Sequence, residues 1–293
     1  MTFTEFANKV AEEVGKRLPE YDGFIIEDVN KVNVGQLKGL AAKIEDGAVP
    51  IIYLEKYYYD FKSGKSLVDI CDELAKEYKE ADRQVVPNDR LLEPEYVRDN
   101  LIVKLLSYDL NKNLLDNYIY RKVDDYIIVP FVEIDFGDHL GEVKFTSEHF
   151  KSFGFDTDEV IDEAIARTQK RYPAVLNSVG DKLQAWNDDV TNYLESDETP
   201  EDGLLVLTNT RSMEGAVALY YPGVLKKVGE LLGDFYLIPS SINEFLVVKK
   251  IPIFNKQMLT KTVLDVNKSL VSETEWLGER VLEYSTISHC FVI

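Results

Sequence analysis

Cysteine and histidine are scarce in this chain, and neither occurs in a spacing that binds metal. The two cysteines, Cys71 and Cys290, lie far apart and form no C-x-x-C or Cys/His pattern. This absence argues against a zinc site and against a disulfide framework. Two isolated thiols are typical of a protein in a reducing compartment, so we expect a cytoplasmic location.

Long apolar runs and phosphate-binding loops are absent as well. No run reaches the about 18 apolar residues that a membrane helix needs. The N-terminal stretch contains Glu5 and Glu12 and no apolar core, unlike a signal peptide. No G-x-G-x-x-G is present, and Gly64-Lys65-Ser66 lacks the earlier glycine of a Walker loop. We therefore predict no cofactor and no membrane association.

Basic side chains are heavily outnumbered by acidic ones. The chain has 52 acidic and 33 basic residues, which gives a net charge of −19. A field of this sign repels the phosphates of nucleic acids and anionic lipids. It favours a basic protein, or a basic patch of a larger complex, as the partner. The simpler alternative is that the acids only keep a cytosolic protein soluble.

The order of predicted helices and strands indicates an α+β fold. The chain has 293 residues, of which 45% are hydrophobic, enough to bury a substantial core. Residues 2–18 have the period and capping box of an amphipathic helix. Hairpin-like turns then separate three strands, at 24–32, 36–44 and 49–55. We predict an N-terminal antiparallel meander with helices and a C-terminal mixed sheet with helices, as domains 1–117 and 118–293 or one continuous domain.

Several later elements can be predicted from the same periodicities. A helical pattern extends from Glu93 to about Leu115. A strand follows at 126–134, where Pro130 suggests a sheet edge or a bulge. Further elements are a helix at 157–171 with Thr157 as its cap, a strand pair at 204–209 and 215–221, a helix at 222–233, and two strands around the stretch PSSINEF.

The stretch PSSINEF presents two serines between apolar runs. Serine catalysis requires a base and an oxyanion hole, and neither a G-x-S-x-G nor an S-x-x-K pattern surrounds Ser240 or Ser241. Pro239 and Asn243 have the backbone preferences of turn residues. We therefore favour a turn, and a nucleophilic serine assisted by Glu244 is the alternative.

His139 lies in an acidic stretch, EIDFGDHLGE, together with Asp135, Asp138 and Glu142. Carboxylate oxygens and an imidazole can hold a divalent cation, which would suit a metal-dependent hydrolase. Stretches of this composition are more often surface turns. We therefore predict no metal site and keep these residues as the first candidates of the hydrolase alternative.

Two parts of the sequence are candidates for binding a partner. Tyr58 and Tyr59 belong to the aromatic run YLEKYYYDF, where exposed tyrosines could anchor an interface, although packing is the simpler interpretation. Residues 188–203 hold seven acids and no lysine or arginine, as in a solvated loop or linker. The acids predicted to bind are Asp188, Asp189, Glu195, Asp197 and Glu198.

Five motifs together resemble one family. They are N-x-x-x-L-x-G-L at 33–40, P-x-I-Y-L-E-x-Y-Y at 50–58, L-T-N at 207–209, Y-P-G-V-L at 221–225 and P-S-S-I-x-E at 239–244. The chain resembles an uncharacterised family of intracellular proteins from gut Firmicutes, classed as a domain of unknown function. The resemblance implies one family unit and a link to mobile elements. The family usually has histidine where this chain has Asn243, which cannot titrate, so an acid/base role of this loop is disfavoured.

These observations favour a protein-binding function over catalysis. An acidic protein linked to mobile elements could inhibit a nucleic-acid-binding machine, because its carboxylates would imitate phosphates in a basic groove. The alternatives are a metal-dependent or serine hydrolase and a housekeeping scaffold or regulatory domain. We therefore expect a non-enzymatic, acidic, cytoplasmic binding module.

Overall fold

The computed structural model describes residues 1–43, 49–82, 88–135, 140–180, 190–196, 198–200 and 203–292. It confirms the α+β class, with helices beside antiparallel sheets. The α-helices are α1 Phe3–Arg17, α2 Glu55–Lys62, α3 Leu67–Asp82, α4 Pro94–Asp99, α5 Ser147–Ser152, α6 Thr157–Arg171, α7 Val224–Leu232 and α8 Lys256–Leu270. Short 3-10 helices lie at Asn88–Leu92, Lys112–Leu114, Gly215–Tyr220 and Glu273–Glu275.

The strands form three sheets. They are β1 Phe24–Lys31, β2 Gly35–Ala42, β3 Ile52–Tyr53, β4 Leu101–Ser107, β5 Arg121–Val123, β6 Tyr126–Asp135, β7 Leu140–Val143, β8 Ala174–Ser178, β9 Leu204–Asn209, β10 Phe235–Ser241, β11 Glu244–Lys249, β12 Leu282–Ser285 and β13 Cys290–Phe291. The sheet orders are β1-β2-β3, β4-β6-β5 with β7 beside β6, and β13-β12-β10-β11-β9-β8.

The chain divides into two compact units. The first consists of Met1–Val97 and Ile134–Gly141, and the second of Arg98–Glu133 and Glu142–Ile293. The domain boundary near residue 117 stays a prediction, because compactness does not test whether a segment folds alone. Among the described residues, we find no helix that combines the length and the apolar character needed to cross a membrane.

The first unit contains the predicted helix and meander. In α1 the Glu5 N–H donates to the Thr2 hydroxyl, and the Thr2 N–H donates to the Glu5 carboxylate at 2.8 Å, so the predicted capping box is confirmed. One face of α1 buries Phe6 and Val10 in the same core as Tyr78 of α3. The strands β1, β2 and β3 pair antiparallel in chain order, which confirms the meander.

The helix predicted from Glu93 to Leu115 is wrong. Only α4 and a short 3-10 helix are helical there, and Leu101–Ser107 forms the strand β4. All seven residues of β4 are buried, and its five apolar residues are distributed over both faces of the strand. A continuously apolar strand and a helix place leucines at the same positions in the sequence, and periodicity alone does not separate them.

Strand β6 is confirmed, but Pro130 does not lie in an edge strand. β6 runs between β4 and β5, with Pro130 opposite Val103. The Val103 N–H donates to the Thr168 hydroxyl of α6 at 2.9 Å instead of across the sheet. β5 ends opposite Ile128, so the β5–β6 ladder needs no N–H from the proline.

The six-stranded sheet is antiparallel at each of its five strand pairs. The prediction that the C-terminal sheet mixes parallel and antiparallel strands is therefore wrong. Neighbouring strands such as β10 and β11 are joined by hairpins, which makes them antiparallel. The predicted turn at PSSINEF is confirmed as the connection of that hairpin, with Ser241 opposite Glu244.

The strand predicted at 215–221 is a 3-10 helix. Residues 215–219 are all buried, so no period of two or three is visible in their sequence. The helix predicted at 222–233 is confirmed as α7, which ends at Gly233 with a φ of 76°. In α6 the N-cap is Asp156 and not the predicted Thr157, because the Asp156 carboxylate accepts the N–H groups of the first turn.

Candidate functional site

A buried carboxylate is the centre of a charged cluster in the second unit. The side chain of Glu133, in β6, has no exposed surface. One oxygen accepts a hydrogen bond from Arg211 at 2.8 Å, and the other forms an ion pair with Arg171 at 2.8 Å. The Tyr172 hydroxyl lies 2.7 Å from both oxygens. Such charge-assisted bonds replace the water that a buried carboxylate has lost.

A buried ammonium group extends this cluster. Lys104, in β4, is 8% exposed, and its Nζ contacts the carboxylates of Glu142 and Glu214. The same Nζ lies 4.7 Å from the ring centroid of Phe131. Arg211 links the two halves, since it binds Glu133 and its guanidinium lies 3.7 Å from Glu214. We call these residues the charged cluster: Lys104, Glu133, Glu142, Arg171, Tyr172, Arg211 and Glu214.

Sheet register and one helix end bring the cluster together. β4 and β6 are paired strands, with Lys104 opposite Val129. Because side chains alternate between the two faces, Glu133 projects from the same face as Lys104, four residues further along β6. The helix α6 packs on β4 and ends at Arg171, with Tyr172 as its C-cap. The Thr168 hydroxyl fixes this end, because it accepts the Val103 N–H.

The third contribution comes from a strained loop, residues 210–214. Ser212 and Glu214 have φ values of 53° and 54°, in the left-handed region that side chains disfavour. Asn209 holds the loop: its amide oxygen accepts the Arg211 N–H at 3.0 Å, and its amide nitrogen donates to the Met213 carbonyl at 3.1 Å. Strain of this kind costs about 1–3 kcal/mol for each residue and is concentrated at functional sites.

The turn of PSSINEF supports the same loop from the other side. The Glu214 N–H donates to the Asn243 amide oxygen at 2.8 Å, and the Thr208 hydroxyl donates to the Asn243 carbonyl at 2.7 Å. A Cβ added at Gly215 would lie 2.2 Å from the Thr208 hydroxyl oxygen, so glycine is required there. The motifs L-T-N and P-S-S-I-x-E, distant in sequence, therefore meet at this loop.

Burial changes the acidity of groups in and near the cluster. Loss of water raises the pKa of Glu214, and the nearby Glu142 adds to this, although Lys104 and Arg211 oppose it. Burial lowers the pKa of Lys144, and repulsion from Lys104 acts in the same direction. Charged groups withdrawn from water are typical of functional sites, and also of structural ion-pair networks.

The chemistry of the cluster is that of a charge-balanced network. Three cationic and three carboxylate side chains face one another, so the cluster can fix the loop 210–214. Among the described parts of the chain, no three histidine, cysteine or acidic side chains are grouped to hold a metal ion.

The predicted serines are used by the hairpin. The Ser241 hydroxyl accepts the Asn243 N–H at 3.1 Å, and the Ser240 hydroxyl donates to Glu244 at 3.3 Å. The bonds of Ser241 are those of a turn. Glu244 accepts a hydrogen bond from Ser240, but this bond is long and crosses the turn.

The predicted acidic set is only partly within the described residues. Asp138 and His139 lie outside them, so their relation to the other candidates is not described. Asp135 is exposed at the end of β6, whereas Glu142 belongs to the charged cluster through Lys104.

The two tyrosines predicted to bind a partner have different environments. Tyr58 stacks on Phe3 with a centroid distance of 4.8 Å, and its hydroxyl donates to the Met1 carbonyl at 3.1 Å. Tyr59 is 73% exposed on α2. Tyr58 therefore contributes to packing, and Tyr59 offers a free surface.

The acidic segment is anchored where it is described. Asp188, Asp189 and Asp197 lie outside the described residues, whereas Glu195 and Glu198 are exposed. The Tyr193 N–H donates to the Leu176 carbonyl of β8 at 2.9 Å. The segment next to Glu195 thus follows the edge strand of the six-stranded sheet.

Sequence reasoning missed most of the charged cluster. The available signal was a single charge inside an apolar run: Lys104 in LIVKLLS and Glu133 in YIIVPFVEI. A charge at such a position must find partners when the strand is buried. The partners Arg171, Arg211 and Glu214 had no comparable signal, because they lie in polar stretches.

The chain belongs to a family of unknown function, DUF5688, whose model matches residues 3–286. No curated protein and no solved structure matches the chain.

Proposed function

We propose that this member of the DUF5688 family is a non-enzymatic binding module that uses surface carboxylates to engage a basic protein or a basic patch of a larger complex. The observation that carries the proposal is the surplus of 19 negative charges together with two exposed acids, Glu195 and Glu198, in the segment that follows the contact of Tyr193 with β8. Carboxylates on the surface attract a basic surface of a partner.

The surplus is spread over both compact units. Met1–Val97 with Ile134–Gly141 carry 22 acidic and 13 basic residues, which leaves 30 and 20 for the remainder. Many cations are already paired within the protein, as Arg98 is with Glu163 at 2.6 Å and Arg121 with Asp162 at 2.5 Å. Carboxylates are therefore what the surface has left to offer a partner.

We extend the proposal to mimicry of nucleic-acid charge. A protein that presents carboxylates in place of phosphates would inhibit a nucleic-acid-binding machine by occupying its basic groove. The resemblance to proteins of gut Firmicutes that travel with mobile elements supports this version, because such elements benefit from blocking host defence.

Capture of a partner tests the proposal. Immobilised protein is incubated with bacterial lysate at about 0.1 M salt and at about 1 M salt, where the Debye length falls to about 3 Å. We expect a basic protein to be retained only at the lower salt concentration. The double variant Glu195→Gln with Glu198→Gln should retain less of that same protein.

A matched control removes the same charge elsewhere. Glu12 and Glu80 are exposed acids on α1 and α3. The double variant Glu12→Gln with Glu80→Gln therefore removes as many negative charges as Glu195→Gln with Glu198→Gln. Equal losses with both double variants would show non-specific attraction. Retention of no basic protein at the lower salt concentration would contradict the proposal.

A hydrolase is the second candidate, and the charged cluster is the observation that favours it. Glu142 and Glu214 share Lys104 next to a strained loop. Hydrolysis of an activated ester and of an activated phosphodiester, with and without divalent cations, tests this candidate. Activity that Glu142→Gln abolishes, while the fold is retained, would favour the enzyme over the binding module.

A further inference from the structure

Two turns lie side by side at one end of the six-stranded sheet. β11 and β12 both pair with β10, and Asp234 immediately before β10 contacts the residues that follow them. The Lys250 N–H donates to the Asp234 carbonyl at 2.9 Å, and the Thr286 N–H donates to the Asp234 carboxylate at 2.9 Å. The turn after β11 and the turn between β12 and β13 therefore start from one anchor.

The tips of these turns expose large aliphatic side chains. The Phe254 N–H donates to the Ile251 carbonyl at 3.0 Å, which closes the first turn around Ile253. Ile253 is 72% exposed, and Ile287 in the second turn is 91% exposed. Met258, at the start of α8, is 53% exposed. Single exposed aliphatics are common, but several at adjacent tips mark an interaction surface.

The same end of the sheet carries a local positive charge. Residues 249–261 contain four lysines and no acid, in a chain that has 52 acids. Two acids beside the turns are engaged: Glu283 contacts Lys250, and Asp234 accepts two hydrogen bonds from Thr286. Lys249 and Lys261 are exposed and Lys256 is half-buried, so the segment that carries Ile253 has the sign opposite to that of the whole protein.

The composition of this surface favours lipid over protein. Protein interfaces are anchored by tryptophan, tyrosine and arginine and are depleted in lysine, whereas this surface has isoleucine and lysine and contains no tryptophan, tyrosine or arginine. Lysine around projecting aliphatic side chains is the pattern of interfacial membrane binding. A second copy would bring lysine against lysine, and both copies carry −19.

We propose that this end of the sheet, defined by residues 249–261 and 286–288, docks on an anionic lipid bilayer. Ile253 and Ile287 insert at the level of the headgroups, and Lys249, Lys256 and Lys261 contact lipid phosphates. The net charge predicts repulsion from such a surface, but charges farther away than the Debye length of about 8 Å are screened in physiological salt. The local patch therefore determines the orientation in which binding occurs.

Co-sedimentation with vesicles tests the proposal. The probes are vesicles of phosphatidylcholine alone and vesicles with about 30 mol % phosphatidylglycerol, which gives the surface a negative potential. We expect sedimentation with the anionic vesicles only, and weaker sedimentation as salt is raised. Ile253→Asp with Ile287→Asp should weaken binding at least about tenfold, because both tips lose their apolar group and gain a negative charge. Lys249→Glu should weaken it about fivefold or more.

Matched variants separate this surface from the rest of the protein. Met213, 55% exposed at the opposite end of β9, and Lys151, exposed on α5, provide Met213→Asp and Lys151→Glu as controls that should leave binding unchanged. Glu195→Gln with Glu198→Gln, which tests the protein partner, should not weaken vesicle binding. No binding to anionic vesicles, or equal losses with the controls, would overturn the proposal.

Discussion

Glu133 and Lys104 are single charges inside strands that are otherwise apolar. Each has lost its water, and each depends on partners from other elements: Arg171 and Arg211 for the carboxylate, Glu142 and Glu214 for the ammonium. Removing one member leaves buried charge without compensation, which costs more than the ion pair contributes. The stability of the second unit should therefore depend on single residues of the charged cluster.

Replacement of Glu133 tests this dependence. Glu133→Gln should lower the free energy of unfolding by about 3 kcal/mol, at the lower end of the range for buried pairs because the arginines are partly exposed. Glu163→Gln is the matched control, since Glu163 binds Arg98 at the surface, and its cost should be about 1 kcal/mol or less. Urea unfolding followed by circular dichroism measures both. Similar losses for the two variants would contradict a buried role for Glu133.

Glu214 should make stability depend on pH with a definite sign. Burial raises the pKa of Glu214 in the folded protein above its unfolded value. The folded state therefore binds the proton of Glu214 more tightly than the unfolded state does. The protonated carboxyl stabilises the fold below the unfolded pKa of about 4.3, and this stabilisation is lost as pH rises through the folded pKa. Glu214→Gln should gain stability relative to the wild type as pH rises from about 4.5 to neutrality.

Glu163 should make stability depend on pH in the opposite direction. The hydrogen bond from Arg98 lowers its pKa, so its contribution is present above the unfolded value and is lost as pH falls. Glu163→Gln should therefore lose stability relative to the wild type as pH rises to about 4.5, and the difference between the two should change little from there to neutrality. Urea titrations at a series of pH values compare the two variants. If the free energy of unfolding changed with pH in the same way for both variants, the Glu214 carboxyl would not be desolvated.

At the scale of elements, the loop 210–214 and the PSSINEF hairpin form one hydrogen-bonded assembly. Asn209 and Asn243 supply side-chain partners for the backbone of a loop with two left-handed residues. Gly215 allows this assembly to close, because a side chain there would meet two backbone atoms and the Thr208 hydroxyl. The loop can thus hold Arg211 and Glu214 in the charged cluster.

Substitution of Gly215 tests the closeness of this contact. Gly215→Ala should destabilise the protein by about 2–4 kcal/mol, because backbone atoms at 2.6 and 2.8 Å from the added Cβ cannot move cheaply. Gly203→Ala is the control, since a Cβ there meets nothing within 4 Å and should change stability by less than about 0.5 kcal/mol. Thermal unfolding distinguishes the two. An unchanged melting temperature for Gly215→Ala would refute the close contact.

Sequence patterns predicted the elements that have one apolar face, and they failed for two elements that are almost wholly buried, although the buried strand β6 was predicted correctly. The helix α1 and the β1–β3 meander expose one face to solvent, so their periods are visible. The strand β4 and the 3-10 helix Gly215–Tyr220 are buried on every side, so their type depends on neighbours that the sequence does not reveal. The charged cluster was missed for the same reason, since long-range pairing decides which charges meet.

At the scale of the whole molecule, charge is the property with the clearest functional consequence. A net charge of −19 favours a basic partner, while the lysines of residues 249–261 give one end of a sheet the opposite sign. A protein with both surfaces could hold a basic partner near an anionic membrane. Salt should weaken both interactions, but different substitutions should affect each, as the vesicle and capture experiments specify.

Competition by duplex DNA tests whether the carboxylates of this protein imitate phosphates. A basic protein captured by the wild type is held at about 0.1 M salt and titrated with duplex DNA, whose phosphates compete for the same groove if carboxylates imitate them. We expect DNA to displace the partner, and we expect Glu195→Gln with Glu198→Gln to lower the DNA concentration that is needed. A partner that stays bound at saturating DNA, while it still binds DNA by itself, would contradict the claim of charge mimicry.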